Sequence, residues 1–264
     1  MHWSKRILCF VMLMVSACAH ADYCIEQWAC VEVDTHHEGR YVFWLVNAKP
    51  YPFTATLVVK GNNLTDGKRN NGRYEVTRVV DGNERIRVLE LTTMHSHKPS
   101  SYSDDFFWSP GDMHARHDDN AIYYKPFAPG QHYPIVQGFG GRYSHTGSSR
   151  YAVDFAMPVG TPVHAARAGM VIDIESRHSR GGPSRRYARF ANYVVIMHDD
   201  GTTGEYYHLK QHGVTVSEGQ RVSAGDLLGY SGNTGFSSLP HLHFAVYRAR
   251  PFGNFESLPF RLSR

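Results

Sequence analysis

Residues 239–248 read LPHLHFAVYR, with two histidines, His241 and His243, flanking one leucine ahead of an apolar run. Successive side chains of an extended strand alternate faces, so on a strand both imidazoles point the same way. The pair fits two metal ligands, one ligand beside one acid/base group, or two surface residues. Which of these applies depends on what surrounds the stretch.

Working outward, the same strand pattern recurs through the C-terminal half. The runs HYPIVQGFGG, AVDFAM, TPVHAARAGMVIDI, ANYVVIMH, TGEYYHL and GDLLGYSG alternate with glycine-rich turns, and helical patterns are scarce. Between Tyr41 and Met94 the runs YVFWLVNA, FTATLVVKG, YEVTRVV and RIRVLELTTM are broken by Gly-Asn-Asn and Asp-Gly turns. Residues 95–130 are polar, rich in Pro, Ser and Asp, and read as a connector. The predicted class is all-β: a small N-terminal β-sandwich-like domain with its linker at 22–125, then a C-terminal β-sheet domain at 126–264. His36, His37, His95, His97, His114 and His117 lie in the first part or the connector and are expected to be solvated.

The chain has 264 residues, 42% of them hydrophobic and 20% charged, with a formal net charge of +4. That size suits one large or two ordinary domains. With no long Lys/Arg run, nucleic acid is not an expected partner. Lys5 and Arg6 precede the apolar run ILCFVMLMVSAC and Ala19-His20-Ala21, the pattern of a secretory signal peptide over 1–21. A second reading takes Val15-Ser16-Ala17-Cys18 as a lipobox with a lipid anchor at Cys18. No later segment is apolar enough to span a membrane. The protein is therefore expected to be exported, periplasmic or secreted, and Cys24 and Cys30 to pair as a disulfide.

A catalytic zinc needs three His, Asp or Glu ligands, an open position, and an acid/base group within reach. The C-terminal half supplies candidates: His145 and Asp154 in SHTGSSRYAVDF, His208 in EYYHL, and the HLH pair. Alone, HLH is weak evidence in a chain with 17 histidines. In combination with Gly160-Thr161-Pro162-Val163, Asn192-Tyr193-Val194-Val195-Ile196, Tyr207-His208-Leu209, Gly229-Tyr230-Ser231-Gly232 and Pro240-His241-Leu242-His243-Phe244, it resembles the lysostaphin-type (LytM-like) zinc endopeptidases, which cut peptidoglycan cross-links. The resemblance covers residues 131–248.

The resemblance implies zinc held by His145, Asp154 and His243, with His241 and His208 as non-ligand catalytic histidines. It implies that peptidoglycan stem peptides and cross-links are the partners. The family commonly spaces its first two ligands as HxxxD, whereas His145 and Asp154 are further apart here, which leaves His132 and His164 as fallback ligands. His208 also has a plain reading, a strand residue packed beside Tyr206 and Tyr207. Two other functions are weighed. One is a non-enzymatic activator or wall-binding protein on the same fold, which the presence of all five groups disfavours. The other is a structural zinc, disfavoured because no cysteine lies in this half. Glycine bridges and D-Ala–diaminopimelate cross-links both remain open as substrates. The segment SRHSRGGPSRRYARFANY, with Arg177, Arg180, Arg185, Arg186 and Arg189, is expected to form a loop beside the cleft. Its arginines either pair with stem-peptide carboxylates or are simply solvated.

Overall fold

The structure, a computed structural model, describes residues 23–68 and 71–263. The signal-peptide and lipobox readings, with Cys9 and Cys18, lie outside the described residues. The described chain is all-β apart from two short 3-10 turns at Gly147–Ser149 and Arg185–Phe190. Among the described residues no helix is long and apolar enough to cross a membrane. The chain divides into two compact units, one up to residue 113 together with 249–254, the other comprising 114–248 and 255–264.

The first unit is built from β1 (Tyr23–Ile25), β2 (Ala29–His36), β3 (Arg40–Asn47), β4 (Phe53–Asn62), β5 (Leu64–Thr65), β6 (Arg73–Val80), β7 (Arg85–Thr93) and β8 (Ser101–Pro110). They form two sheets, ordered β1-β2-β3-β7-β5 and β6-β4-β8. Trp28, in the β1–β2 turn, lies 5.6 Å from Phe53 and 4.6 Å from Trp108, so rings from both sheets meet as in a sandwich interior. A Cys24–Cys30 disulfide joins β1 to β2, as expected from the sequence.

Two expectations need correction. Ser101–Pro110 was expected to be connector but is a ten-residue strand paired with β4 along its whole length. Its serines and aspartates mask an alternation in which Phe106 is buried and Asp104 accepts a 2.5 Å hydrogen bond from the Tyr23 hydroxyl. After it, the stretch from residue 114 groups with the second compact unit. Tyr123 causes this. It is fully buried in the C-terminal core, and its hydroxyl accepts a 3.0 Å hydrogen bond from Arg167. His117 is not solvated either: its side chain is 7% exposed and its ring stacks on Tyr123 at 5.9 Å.

The second unit begins with β9 (Ile122–Tyr123), β10 (Ile135–Gln137), β11 (Ala152–Phe155), β12 (Pro162–His164), β13 (Gly169–Glu175) and β14 (Gly181–Gly182). It continues with β15 (Tyr193–Met197), β16 (Thr203–Tyr207), β17 (Leu209–Val214), β18 (Arg221–Val222), β19 (Leu227–Ser231), β20 (Gly235–Phe236) and β21 (Leu242–Arg250). The main sheet is antiparallel and runs β10-β11-β21-β16-β15-β13-β18, while β12-β19-β17 form a smaller sheet. Period-two alternation gives the main sheet two different faces. Val153, Phe155, Phe244, Val246, Tyr206, Val194 and Ile196 pack with Val163, Leu209 and Leu228 of the smaller sheet into one core. The opposite face carries Asp154, His243, Glu205 and Tyr207. Register fixes their meeting point, because His243 is opposite Asp154 on β11 and opposite Tyr207 on β16.

Candidate metal centre

His145 reaches this face from the loop before β11 and is fully buried. Its Nδ1 lies 2.9 Å from the Gly138 carbonyl oxygen, which can only accept, so Nδ1 carries the proton. Its Nε2 then points at Asp154 Oδ1, 3.0 Å away, and lies 3.3 Å from His243 Nδ1. The triangle closes with His243 Nδ1 2.8 Å from the same carboxylate oxygen. Three ligand atoms with bonds of about 2.0–2.2 Å to a tetrahedral ion would sit roughly 3.3 Å apart, close to the separations here.

Electrostatics argue for a cation at the same spot. In neutral His145 the Nε2 lone pair would face a carboxylate oxygen, acceptor against acceptor. Burial opposes charging of His145, yet its hydrogen bond and charge interaction with Asp154 outweigh that and raise its pKa. Burial would likewise raise the Asp154 carboxyl, but hydrogen bonds from His145 and His243 and the nearby imidazole charge hold it well below the carboxylate range. Both shifts favour positive charge among these atoms, and the spacing of the three ligand atoms fits a divalent ion there. Among the described residues, His145, Asp154 and His243 form the group able to hold a metal.

Residues just outside the triangle hold it in place. Gln137 Nε2 donates to Asp154 Oδ2 at 3.0 Å, while the Gln137 carbonyl accepts from the Tyr143 backbone N–H at 3.1 Å. Together with the Gly138 carbonyl on His145, this is the outer support that metal ligands need. The sequence reading missed Gln137. Its signal is only positional, since β10 pairs it with Asp154.

The other two histidines line up beside the triangle. The ring centres of His208 and His241 are 4.5 Å apart, and His241 Nε2 is 3.8 Å from Asp154 Oδ1. His241 Nδ1 donates to the Leu239 carbonyl at 2.7 Å, and His208 Nδ1 to the Thr234 carbonyl at 2.7 Å. Each ring therefore keeps an unprotonated Nε2. Burial, reinforced by its histidine neighbours, pushes the His208 pKa down to about 3. Burial also lowers that of His241. Both rings are neutral proton acceptors at neutral pH. His208 occupies the left-handed region at φ 68°, where the chain passes from β16 to β17. That turn is pinned by Asn192, whose side-chain N–H groups donate to the His178 and Leu209 carbonyls at 2.8 and 3.2 Å.

The five predicted residues thus converge on one site, while the fallback ligands stay outside it. His132 is exposed, and His164 Nδ1 is bonded to the Gly225 carbonyl at 2.7 Å. Residues 148–254 match peptidase family M23. The chain carries an M23 domain. Over 214 residues it is 29% identical to the peptidoglycan DD-endopeptidase ShyA of Vibrio cholerae, covering 74% of this chain and 45% of that protein. Over 99 residues it is 39% identical to the glycyl-glycine endopeptidase ALE-1 of Staphylococcus capitis, covering 37% of this chain and 24% of that one. The solved structure of lysostaphin from Staphylococcus simulans is 31% identical, covering 47% of each chain, with a TM-score of 0.35. In all three the match spans less than half of the relative's length. The M23 match begins at Ser148 and so includes Asp154, His208, His241 and His243, while His145 lies just before it.

Proposed function

We propose that the protein is a zinc-dependent endopeptidase that hydrolyses peptide cross-links of bacterial peptidoglycan. One observation carries the reading: the His145 Nε2, Asp154 Oδ1 and His243 Nδ1 triangle, flanked by two neutral imidazoles with free Nε2 atoms. His145, Asp154 and His243 would hold the ion. When bound, zinc supplies a Lewis acid that acidifies water toward neutral pH and polarises a carbonyl.

The chain's own residues do the rest. His241 accepts the proton of the attacking water at Nε2, a role its depressed pKa suits, and returns it to the leaving amine. His208 cannot donate from Nε2 in the resting site, because its one proton is committed to Thr234. It would support the developing oxyanion only as an imidazolium, with Nε2 taking a proton from solvent, a charge that burial opposes. The Asp154 carboxylate, kept ionised, balances the charge that accumulates on the imidazoles.

Retention of all five groups favours an enzyme over a non-catalytic activator on the same fold. Two imidazoles and one carboxylate are a donor set that catalytic zinc sites use, and the resemblance to zinc endopeptidases favours zinc among the divalent ions that such a set accepts. Export to the periplasm or medium is part of this proposal and rests on the leader pattern of residues 1–21. Finding Asp22 as the N-terminus of protein recovered from the cell envelope or medium would support it, and finding Met1 there would refute it.

The deciding experiment combines metal analysis with digestion of purified sacculi. Wild type is expected to bind one zinc and release peptides. His243→Ala should lose both metal and activity. His241→Ala should keep the metal and lose about 10²–10⁴ in turnover. Full activity in either variant refutes the assignment.

A further inference from the structure

Residues 176–190 contain five arginines and no acidic residue. Arg177 pairs with Glu175 at 3.1 Å, while Arg180, Arg185, Arg186 and Arg189 are exposed and have no carboxylate within ion-pair reach among the described residues. Solvated arginines are ordinary, but Arg180 and Arg189 share an aromatic platform. The Arg180 and Arg189 guanidinium carbons lie 5.6 and 4.8 Å from the centre of one ring, Phe190, which packs edge-on against His178 at 5.5 Å. Two cations gathered at one ring concentrate positive charge that a bound anion would offset.

The segment is also attached to the catalytic wall. Gly235 N–H donates to the Arg180 carbonyl at 2.8 Å and Ser237 N–H to the Gly182 carbonyl at 3.1 Å. The approach is so close that a Cβ on Gly181 would fall 1.8 Å from the Asn233 carbonyl oxygen. The same stretch orients both free imidazoles, His208 through Thr234 and His241 through Ser237 Oγ at 3.0 Å. From the other side Tyr143, two residues before His145, packs on Phe236 at 5.5 Å and donates to the Pro183 carbonyl at 3.4 Å. The arginines thus stand on a rim bonded to both ends of the metal centre.

We infer that Arg180 and Arg189, on the Phe190 platform, form a subsite for a carboxylate carried by the substrate peptide close to the bond that is cut. The inference rests on the endopeptidase reading and narrows it: the preferred cross-link bears a free carboxylate, and an uncharged glycine bridge does not satisfy the rim. A planar guanidinium matches a carboxylate with two parallel hydrogen bonds, and a pair of guanidiniums held on a ring is already ordered for it.

The test uses two soluble cross-linked peptides that differ only in a free carboxyl or a carboxamide next to the scissile bond. Wild type is expected to show a KM about tenfold lower for the free acid at low ionic strength, with the advantage shrinking as salt is added. Arg180→Gln/Arg189→Gln should remove that preference, bringing the two KM values together. Arg180→Lys/Arg189→Lys should keep only part of it, because a point charge lacks the planar fork. Arg221→Gln, also exposed but outside this rim, should leave it intact. Equal KM values for the two peptides in wild type, or a preference that survives the Gln pair, overturn the subsite and leave the endopeptidase reading standing. Cleavage of neither peptide by zinc-loaded wild type overturns both.

Discussion

Val153 and Phe244 on one face of the main sheet, and Asp154 and His243 on the other, are sequence neighbours with opposite surroundings. Two buried histidines make the contrast sharp. His145 and His198 each donate Nδ1–H to a backbone carbonyl, Gly138 at 2.9 Å and Ala168 at 2.8 Å. On the site face, Nε2 of His145 meets a carboxylate and a second imidazole. On the core face, Nε2 of His198 has no hydrogen-bond partner among the described residues. The pKa values part accordingly, raised for His145 by Asp154 and pushed down to about 4 for His198 by burial. The same side chain, buried on both faces, is drawn toward its charged form by a carboxylate on one and away from it by desolvation on the other.

This comparison can be broken most forcefully at β21. Phe244 is fully buried, so Phe244→Ala should lower the unfolding free energy by about 3–5 kcal/mol. His243→Ala, one residue away, should cost metal and turnover but less stability than Phe244→Ala in the metal-free protein. Urea titrations of both variants check this, and equal losses of stability would show that the two faces are not separate in role.

Next in size is a pH effect from His198. Its folded pKa of about 4 lies below the unfolded value of about 6.5, so between these limits the unfolded chain binds more protons. The His198 contribution is therefore intact above pH 6.5 and is lost as pH falls toward 4. The loss is on the order of 3 kcal/mol. Stability measured against pH for wild type and His198→Leu should show a shallower fall in the variant over this window. Parallel curves would contradict the account of the core-face histidine.

The smallest expected effect tests the support around the metal. Gln137→Ala removes a donor to Asp154 and should weaken zinc binding about 10–100-fold while leaving the fold intact. Competition with a chelator measures it. Unchanged affinity would mean that the triangle is held by its backbone alone.

Much of this was legible in the chain. Strand runs, turn glycines and the HLH pair pointed to an all-β protein with a metal-binding C-terminal half, because period-two alternation is written directly into residue order. The strand at Ser101–Pro110 was not legible, since its serines and aspartates hide the alternation. Nor was the place of Tyr123 and His117 in the C-terminal core, because a polar connector does not announce the one ring that anchors it. Gln137, Asn192, Thr234 and Ser237 act through hydrogen bonds that folding alone brings together, and spacing carries no trace of such contacts.

The sequence by itself determined which residues could take part: five histidine and aspartate groups of the right kinds, on strands or beside them. It also determined that His241 and His243 would share a face. Only the tertiary structure decided their surroundings, since β-sheet register set His243 against Asp154, and a loop delivered His145 to the same oxygen. Backbone carbonyls at Gly138, Thr234 and Leu239 then chose which ring nitrogen holds a proton. A lone pair's direction depends on what the opposite nitrogen bonds to, and that neighbour is supplied by folding.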